Sequence, residues 1–117
     1  MAPTVLRKDD QLIGIGSPGG SRIPMMLTEA LIRHLKFHES LESAIEAPRF
    51  YMEDNKIYSE IRYSRGIRNE LEEMGYDIEL KSSPIYYGGI QAIVIDKGKS
   101  VIFGSADSRR EGTWKVK

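Results

Sequence analysis

Four glycines lie between Ile13 and Pro24 in "IGIGSPGGSRIP", with Pro18 among them, and this stretch constrains the chain more than any other. Glycines packed between an apolar run and a helical pattern mark a place where the backbone itself must turn tightly or touch something. Leu12 to Gly16 predicts a strand. Pro24 suits the first turn of a helix, where its missing N–H costs nothing. Leu27, Ala30, Leu31, His34 and Leu35 then share one helical face. A strand feeding "SPGGS" and a helix leaves consecutive unpaired N–H groups near a helix N-terminus. Such a nest attracts negative charge through its free donors and the helix dipole. A phosphate is one anion of the right kind, but the Lys-Ser/Thr ending of a P-loop and the spacing of a dinucleotide fingerprint are both missing. The transient oxyanion of acyl transfer is the other, and it needs two backbone donors at close range. Against both stands a plain tight turn whose glycines only supply positive φ.

The rest of the chain alternates strand and helix signals without repeats. Thr4 to Leu6 pairs naturally with Leu12 to Gly16 across a charged turn, Arg7 to Gln11. In "HESLESAIEAPRF", Ser40 is the expected N-cap, Leu41, Ala44 and Ile45 the buried side, and Pro48 the stop. Ile57 to Ile61 and Tyr76 to Leu80 alternate as strands. Between them Ser64 caps a helix carrying Ile67, Leu71 and Met74, with Gly75 as its left-handed C-terminal residue. Ile90 to Ile95 and Val101 to Gly104 form a hairpin over Asp96 to Lys99. The C-terminal "DSRREGTWKVK" is polar and expected at the surface. The order favours a layered α+β domain over a regular parallel βαβ sheet, and 117 residues are one domain by length.

Composition narrows the partners. Lysine plus arginine and aspartate plus glutamate both total 17, which argues against a sequence-independent grip on nucleic acid. No apolar run approaches the ~20 residues of a membrane span. There is no cysteine, so thiolate metal sites and a thiol nucleophile are excluded. No signal-peptide pattern opens the chain, and the compartment stays open.

Four other groups bear on chemistry. His34 and His38 have the spacing of two zinc ligands on a helix, but no acidic partner completes a pattern, so a surface pair is expected and no metal. Asp107, Arg109 and Arg110 have the chemistry to grip a substrate carboxylate. The adjacent tyrosines of "SSPIYYGG", Ser82 to Gly89, suit a binding loop or a packed face with edge hydrogen bonds. Arg49 ends a helix, where a cation complements the dipole, and an acidic partner for it is not identifiable.

Four blocks carry a family resemblance: "MAPT" at Met1 to Thr4, "GSPGGSRI" at Gly16 to Ile23, "AIEAPRF" at Ala44 to Phe50 and "GSADSRREG" at Gly104 to Gly112. In this order and at about these separations they resemble the C-terminal part of the γ-glutamyltranspeptidase small subunit, over essentially the whole chain. The resemblance implies an N-terminal nucleophile hydrolase αββα sandwich. It also implies a precursor that cleaves itself to free a threonine nucleophile, which attacks a γ-glutamyl amide such as that of glutathione. The acyl group then passes to water or an amine. No cofactor is implied. The paired glycines of the family donate to the oxyanion, which carries over to Gly19 and Gly20, with Ser17 and Pro18 beside them in the substrate-binding turn. The resemblance also implies that Asp107, Arg109 and Arg110 brace the C-terminal segment rather than touch substrate. Ser108 stands where the family usually has proline, a departure expected to loosen the local turn.

By the same resemblance the nucleophilic threonine, the aspartate that holds the substrate's α-amino group and a pair of serines lie upstream of the "MAPT" block. The arginine for the α-carboxylate belongs to the large subunit. Thr4, inside a strand, is no substitute. Residues 1–117 are therefore expected to be a C-terminal fragment of the small subunit, inactive alone. Its partners would be the remaining part of that subunit, the large subunit and a γ-glutamyl small molecule, with exposed sheet edges inviting self-association. A non-catalytic binding domain on the same scaffold, or a fragment of a cephalosporin-acylase-like enzyme, are the alternatives.

Overall fold

The structure, a computed structural model, describes residues 3–18 and 20–110. Alternating apolar residues build its first hairpin. β1 (Thr4–Lys8) and β2 (Gln11–Gly16) pair antiparallel, Thr4 opposite Ile15 and Lys8 opposite Gln11. The turn is only Asp9 and Asp10, with Asp9 at φ 54°, so both strands run further into the charged stretch than its composition suggests. Aspartate tolerates that left-handed conformation because its short polar side chain bonds locally.

β6 (Gln91–Asp96) pairs with β2, and β7 (Val101–Ala106) pairs with β6, giving a four-stranded antiparallel sheet in the order β1-β2-β6-β7. Successive residues of a strand point to opposite faces. Ile13 and Ile15 therefore join Val94 on one face, which α1 (Ile23–Leu35) and α2 (Leu41–Glu46) cover. Ile23, Leu27, Ala30, Leu41, Ile45 and Ile90 complete this core. Each large side chain fully removed from water there contributes ~1.5–3 kcal/mol, which fixes the register of β2 and hence where it ends. The other face of the sheet is bare among the described residues: Val5, Ile93 and Ile102 are 71%, 48% and 56% exposed.

The local signals for α2 hold. Ser40 Oγ accepts a hydrogen bond from Ser43 N–H at 3.1 Å, and Leu41, Ala44 and Ile45 are buried. α3 (Arg65–Glu73) also has its expected cap, with Ser64 Oγ accepting from Ile67 N–H at 3.4 Å, and Gly75 at φ 97°. Its apolar residues are largely uncovered, however: Ile67 is 52% and Met74 71% exposed. The helix packs beside the second sheet, and Leu71 is its one partly buried residue.

That second sheet has the order β3-β4-β5, formed by β3 (Phe50–Glu53), β4 (Lys56–Ser59) and β5 (Asp77–Leu80). β4 and β5 are parallel and joined through α3, so one βαβ unit sits within the expected α+β layering. β3 is an edge strand whose outward N–H groups are taken by α1. Phe50 N–H donates to Glu29 Oε1 at 3.0 Å, and Met52 N–H to Met25 Sδ at 3.4 Å.

Glu29 is an uneasy clip. Its Oε2 is buried without a partner among the described residues. Burial pushes its pKa up to about 7, against the pull of Phe50 N–H, Arg49, Arg33 and Arg109. A folded pKa above the ordinary 4.5 means the folded chain holds this proton more tightly than the unfolded chain. The contribution is whole below the unfolded value and is lost as the pH rises through about 7. Urea unfolding at about pH 5 and about pH 8 should show wild type losing on the order of 1–3 kcal/mol. Glu29→Gln, which keeps an acceptor and cannot ionise, should flatten the profile. Parallel profiles for the two proteins would contradict the assignment.

Candidate active site

β2 ends at Gly16, and the chain turns through Ser17 and Pro18 into the glycine pair. Gly19 lies outside the described residues. Gly20, at φ 66°, opens a short 3-10 turn, Gly20–Arg22, that runs directly into α1. Among the described residues no side chain caps α1: its N-cap is Arg22, and Pro24 sits in the first turn as expected. Gly20 is exposed, and a Cβ built on it meets nothing within 4 Å among the described residues beyond its chain neighbours. Among the described residues no acceptor takes its N–H. An uncapped helix N-terminus and a free donor in an open approach together favour an anion.

The turn is held from behind. Ser17 is fully buried, its Oγ accepting from Gly89 N–H at 3.0 Å and donating to the Pro18 carbonyl at 2.8 Å. Arg22 Nε donates to the Tyr86 carbonyl at 2.8 Å, and its guanidinium lies 4.0 Å from the Tyr86 ring centroid. The "YYGG" segment is thus a packed support. Tyr87 is fully buried and donates its hydroxyl to the Lys81 carbonyl at 2.7 Å, while Tyr86 packs against Tyr51 and Tyr58. Burial raises the Tyr87 pKa, so the phenol stays protonated and keeps donating.

Behind that support lies a buried charge network. Arg49, 3% exposed, donates to the Tyr87 carbonyl at 2.8 Å and to the Ile45 carbonyl at the end of α2 at 2.6 Å. Its Nη2 also pairs with Asp107 Oδ2 at 2.8 Å, the acidic partner that the sequence leaves open. Asp107, fully buried, accepts from Ile90 N–H and from Arg109 N–H and Nη1. Arg109 in turn makes two bonds to Glu60, at 2.7 and 2.6 Å, and two to the Ile45 and Ala47 carbonyls.

Burial lowers the pKa of Arg49 despite Asp107. Burial alone would raise that of Asp107, but Arg49 and the Ile90 N–H outweigh it and hold the carboxylate ionised. For Arg109 burial lowers the pKa, and the Glu60 and Asp107 contacts more than offset it.

Three expectations change here. Asp107 and Arg109, placed at the surface by the polarity of their segment, are interior groups engaged with the protein itself. Residues 111–117 of the same tail lie outside the described residues. Ser108 does not loosen its turn: its N–H and Oγ bond both Glu46 carboxylate oxygens, at 2.9 and 2.6 Å. A proline could donate neither. Glu46 and Glu60 were not singled out from sequence, because partners 62 and 49 residues away leave no local pattern. His34 and His38 do not share a helical face, since α1 stops at Leu35 and His38 follows at φ 58°.

The gamma-glutamyltranspeptidase family model covers residues 1–116. The chain belongs to the γ-glutamyltranspeptidase family. The capsule biosynthesis protein CapD proenzyme of Bacillus anthracis is 48% identical over 115 residues, spanning 98% of this chain and 22% of that protein. The glutathione hydrolase proenzyme of Bacillus subtilis is 34% identical, spanning 96% of this chain and 19% of that protein. The crystal structure of Bacillus anthracis transpeptidase enzyme CapD superposes with a TM-score of 0.94 at 47% identity. It covers all of this chain and 70% of that one. The chain thus spans about a fifth of the length of the curated relatives it matches. Its fold is that of this family's N-terminal nucleophile hydrolases, as the sequence motifs implied. No helix among the described residues is long and apolar enough to cross a membrane.

Proposed function

We propose that this segment supplies the oxyanion-stabilising side of a γ-glutamyl acyl-transfer site, as the C-terminal part of a larger γ-glutamyltranspeptidase-like enzyme. The observation that carries this is Gly20: left-handed, openly approached, its N–H without an acceptor among the described residues, at the uncapped start of α1. A threonine hydroxyl from the remaining part of the small subunit attacks the γ-carbonyl carbon of the substrate. The carbonyl oxygen gains negative charge, and the N–H groups of Gly19 and Gly20 donate to it. Ser17 and Pro18 shape the turn that presents them. Collapse of the tetrahedral species expels the amine, and water or a second amine then takes the acyl group. Fixed backbone donors suit this step because they need no reorganisation as charge develops.

The bare sheet face carrying Val5, Ile93 and Ile102 is assigned to the remaining part of the same subunit. Sandwich folds bury such a face against a second sheet. The isolated chain should therefore self-associate and release no p-nitroaniline from γ-glutamyl-p-nitroanilide above the buffer rate. The complete, processed protein should release it readily. Turnover by the pure isolated chain, or none by the processed protein, would overturn the proposal.

A further inference from the structure

We infer that Ser17, Gly88 and Gly89 form a clasp that aims the glycine turn at the developing oxyanion; this rests on the acyl-transfer function proposed above. The segment between Ser82 and Gly89 approaches the turn as closely as atoms allow. A Cβ on Gly88 would stand 2.5 Å from Ser17 Oγ and 3.0 Å from the Pro18 carbonyl oxygen, and Gly88 sits at φ 83°. Only glycine fits there on both counts. That approach brings Gly89 N–H to Ser17 Oγ, and the same hydroxyl spends its proton on the Pro18 carbonyl. With Ser17 fully buried, the hydroxyl has one donor and one acceptor, neither exchangeable with water.

The consequence is positional, because a held carbonyl fixes the chain at that point. The Pro18 carbonyl is the one that Ser17 pins, immediately ahead of the glycine pair. The clasp is itself anchored, because Tyr87 O and Ile90 N, on either side of Gly88 and Gly89, are held by Arg49 and Asp107. Buried charge therefore reaches the turn through two glycines and one hydroxyl. Ser17 and Gly88 are positioning residues that touch no substrate.

The test uses the complete, processed enzyme with γ-glutamyl-p-nitroanilide. Ser17→Ala deletes both bonds with little change of volume, and kcat per processed molecule should fall on the order of tenfold to a hundredfold with KM within a few-fold. Ser17→Cys, a weaker donor and acceptor of similar shape, should fall between it and wild type. Gly88→Ala should cost at least as much. Its effect should shrink in a Ser17→Gly background, where the clashing Oγ is gone. A purely structural role would lower Tm while leaving kcat per processed molecule at the wild-type value in both Ser17 variants, and that result overturns the clasp. Should Ser17→Ala fail to process, Ser17→Cys alone decides between the same two outcomes. If the Gly20 variant discussed below loses turnover while the Ser17 variants keep it, the clasp is wrong and the oxyanion role stands. If neither loses turnover, the oxyanion role itself has failed.

Discussion

Asp107→Ala should cost the fold about 3–5 kcal/mol, the usual penalty for removing one partner of a buried ion pair. The loss is large because Asp107 is the junction of its network. One carboxylate oxygen takes Ile90 N–H and Arg49, and the other takes Arg109 twice. Without it, Arg49 keeps only two backbone carbonyls in a site where its Nε is already buried without a partner among the described residues. Arg109 retains Glu60, so the damage centres on Arg49. Asp107→Asn keeps the shape and loses the charge, and should fall between Ala and wild type.

The pH dependence gives a second signature. The folded pKa of Asp107 lies below its ordinary 3.8, so its contribution is whole above that value and is lost as the pH falls through the folded one. Guanidinium unfolding of this chain and both variants, followed from neutral pH downward, measures both effects. A loss under about 1 kcal/mol for Asp107→Ala at neutral pH would mean the network behaves as a surface pair.

How much of this was legible depends on how far apart the partners lie. α2 could be read from Ser40, Leu41, Ala44, Ile45 and Pro48 because cap, stripe and stop are all local. The hairpins of the first sheet could be read because alternation fixes a face. β3 was missed: its four residues form an edge strand with three exposed side chains, so no alternation of buried and polar positions marks it. For α3 the apolar stripe was real, but periodicity says which side of a helix is apolar and not what covers it. Asp107 and Arg109 misled for the opposite reason. Charge in a polar tail ordinarily means solvent, and only tertiary structure brings Glu60 and Arg49 to them. At the site, sequence supplied the glycines and the family supplied their role. Neither showed that Ser17 is buried or that Gly88 must be glycine.

Gly20→Asn in the complete, processed enzyme is expected to lower kcat on the order of a hundredfold, with KM changed only a few-fold, because the new side chain pushes the scissile carbonyl away from the N–H donors. The interaction at stake tightens as charge develops in the transition state, which is why kcat carries the loss. Asparagine is chosen because Gly20 has φ 66° and, among the described residues beyond its chain neighbours, no atom within 4 Å of a built Cβ. Asparagine tolerates that left-handed backbone better than most residues, so the turn survives while a side chain enters the approach to the scissile carbonyl. Gly20→Val would add backbone strain to the same crowding and blur the two. A glycine needed only for its turn predicts something else, namely that asparagine restores nearly everything. The deciding measurement is kcat per folded, processed Gly20→Asn molecule on γ-glutamyl-p-nitroanilide, with processing and Tm recorded beside it. Near-normal processing and Tm with kcat reduced on the order of a hundredfold is the expected result; a kcat within a few-fold of wild type would contradict the oxyanion role.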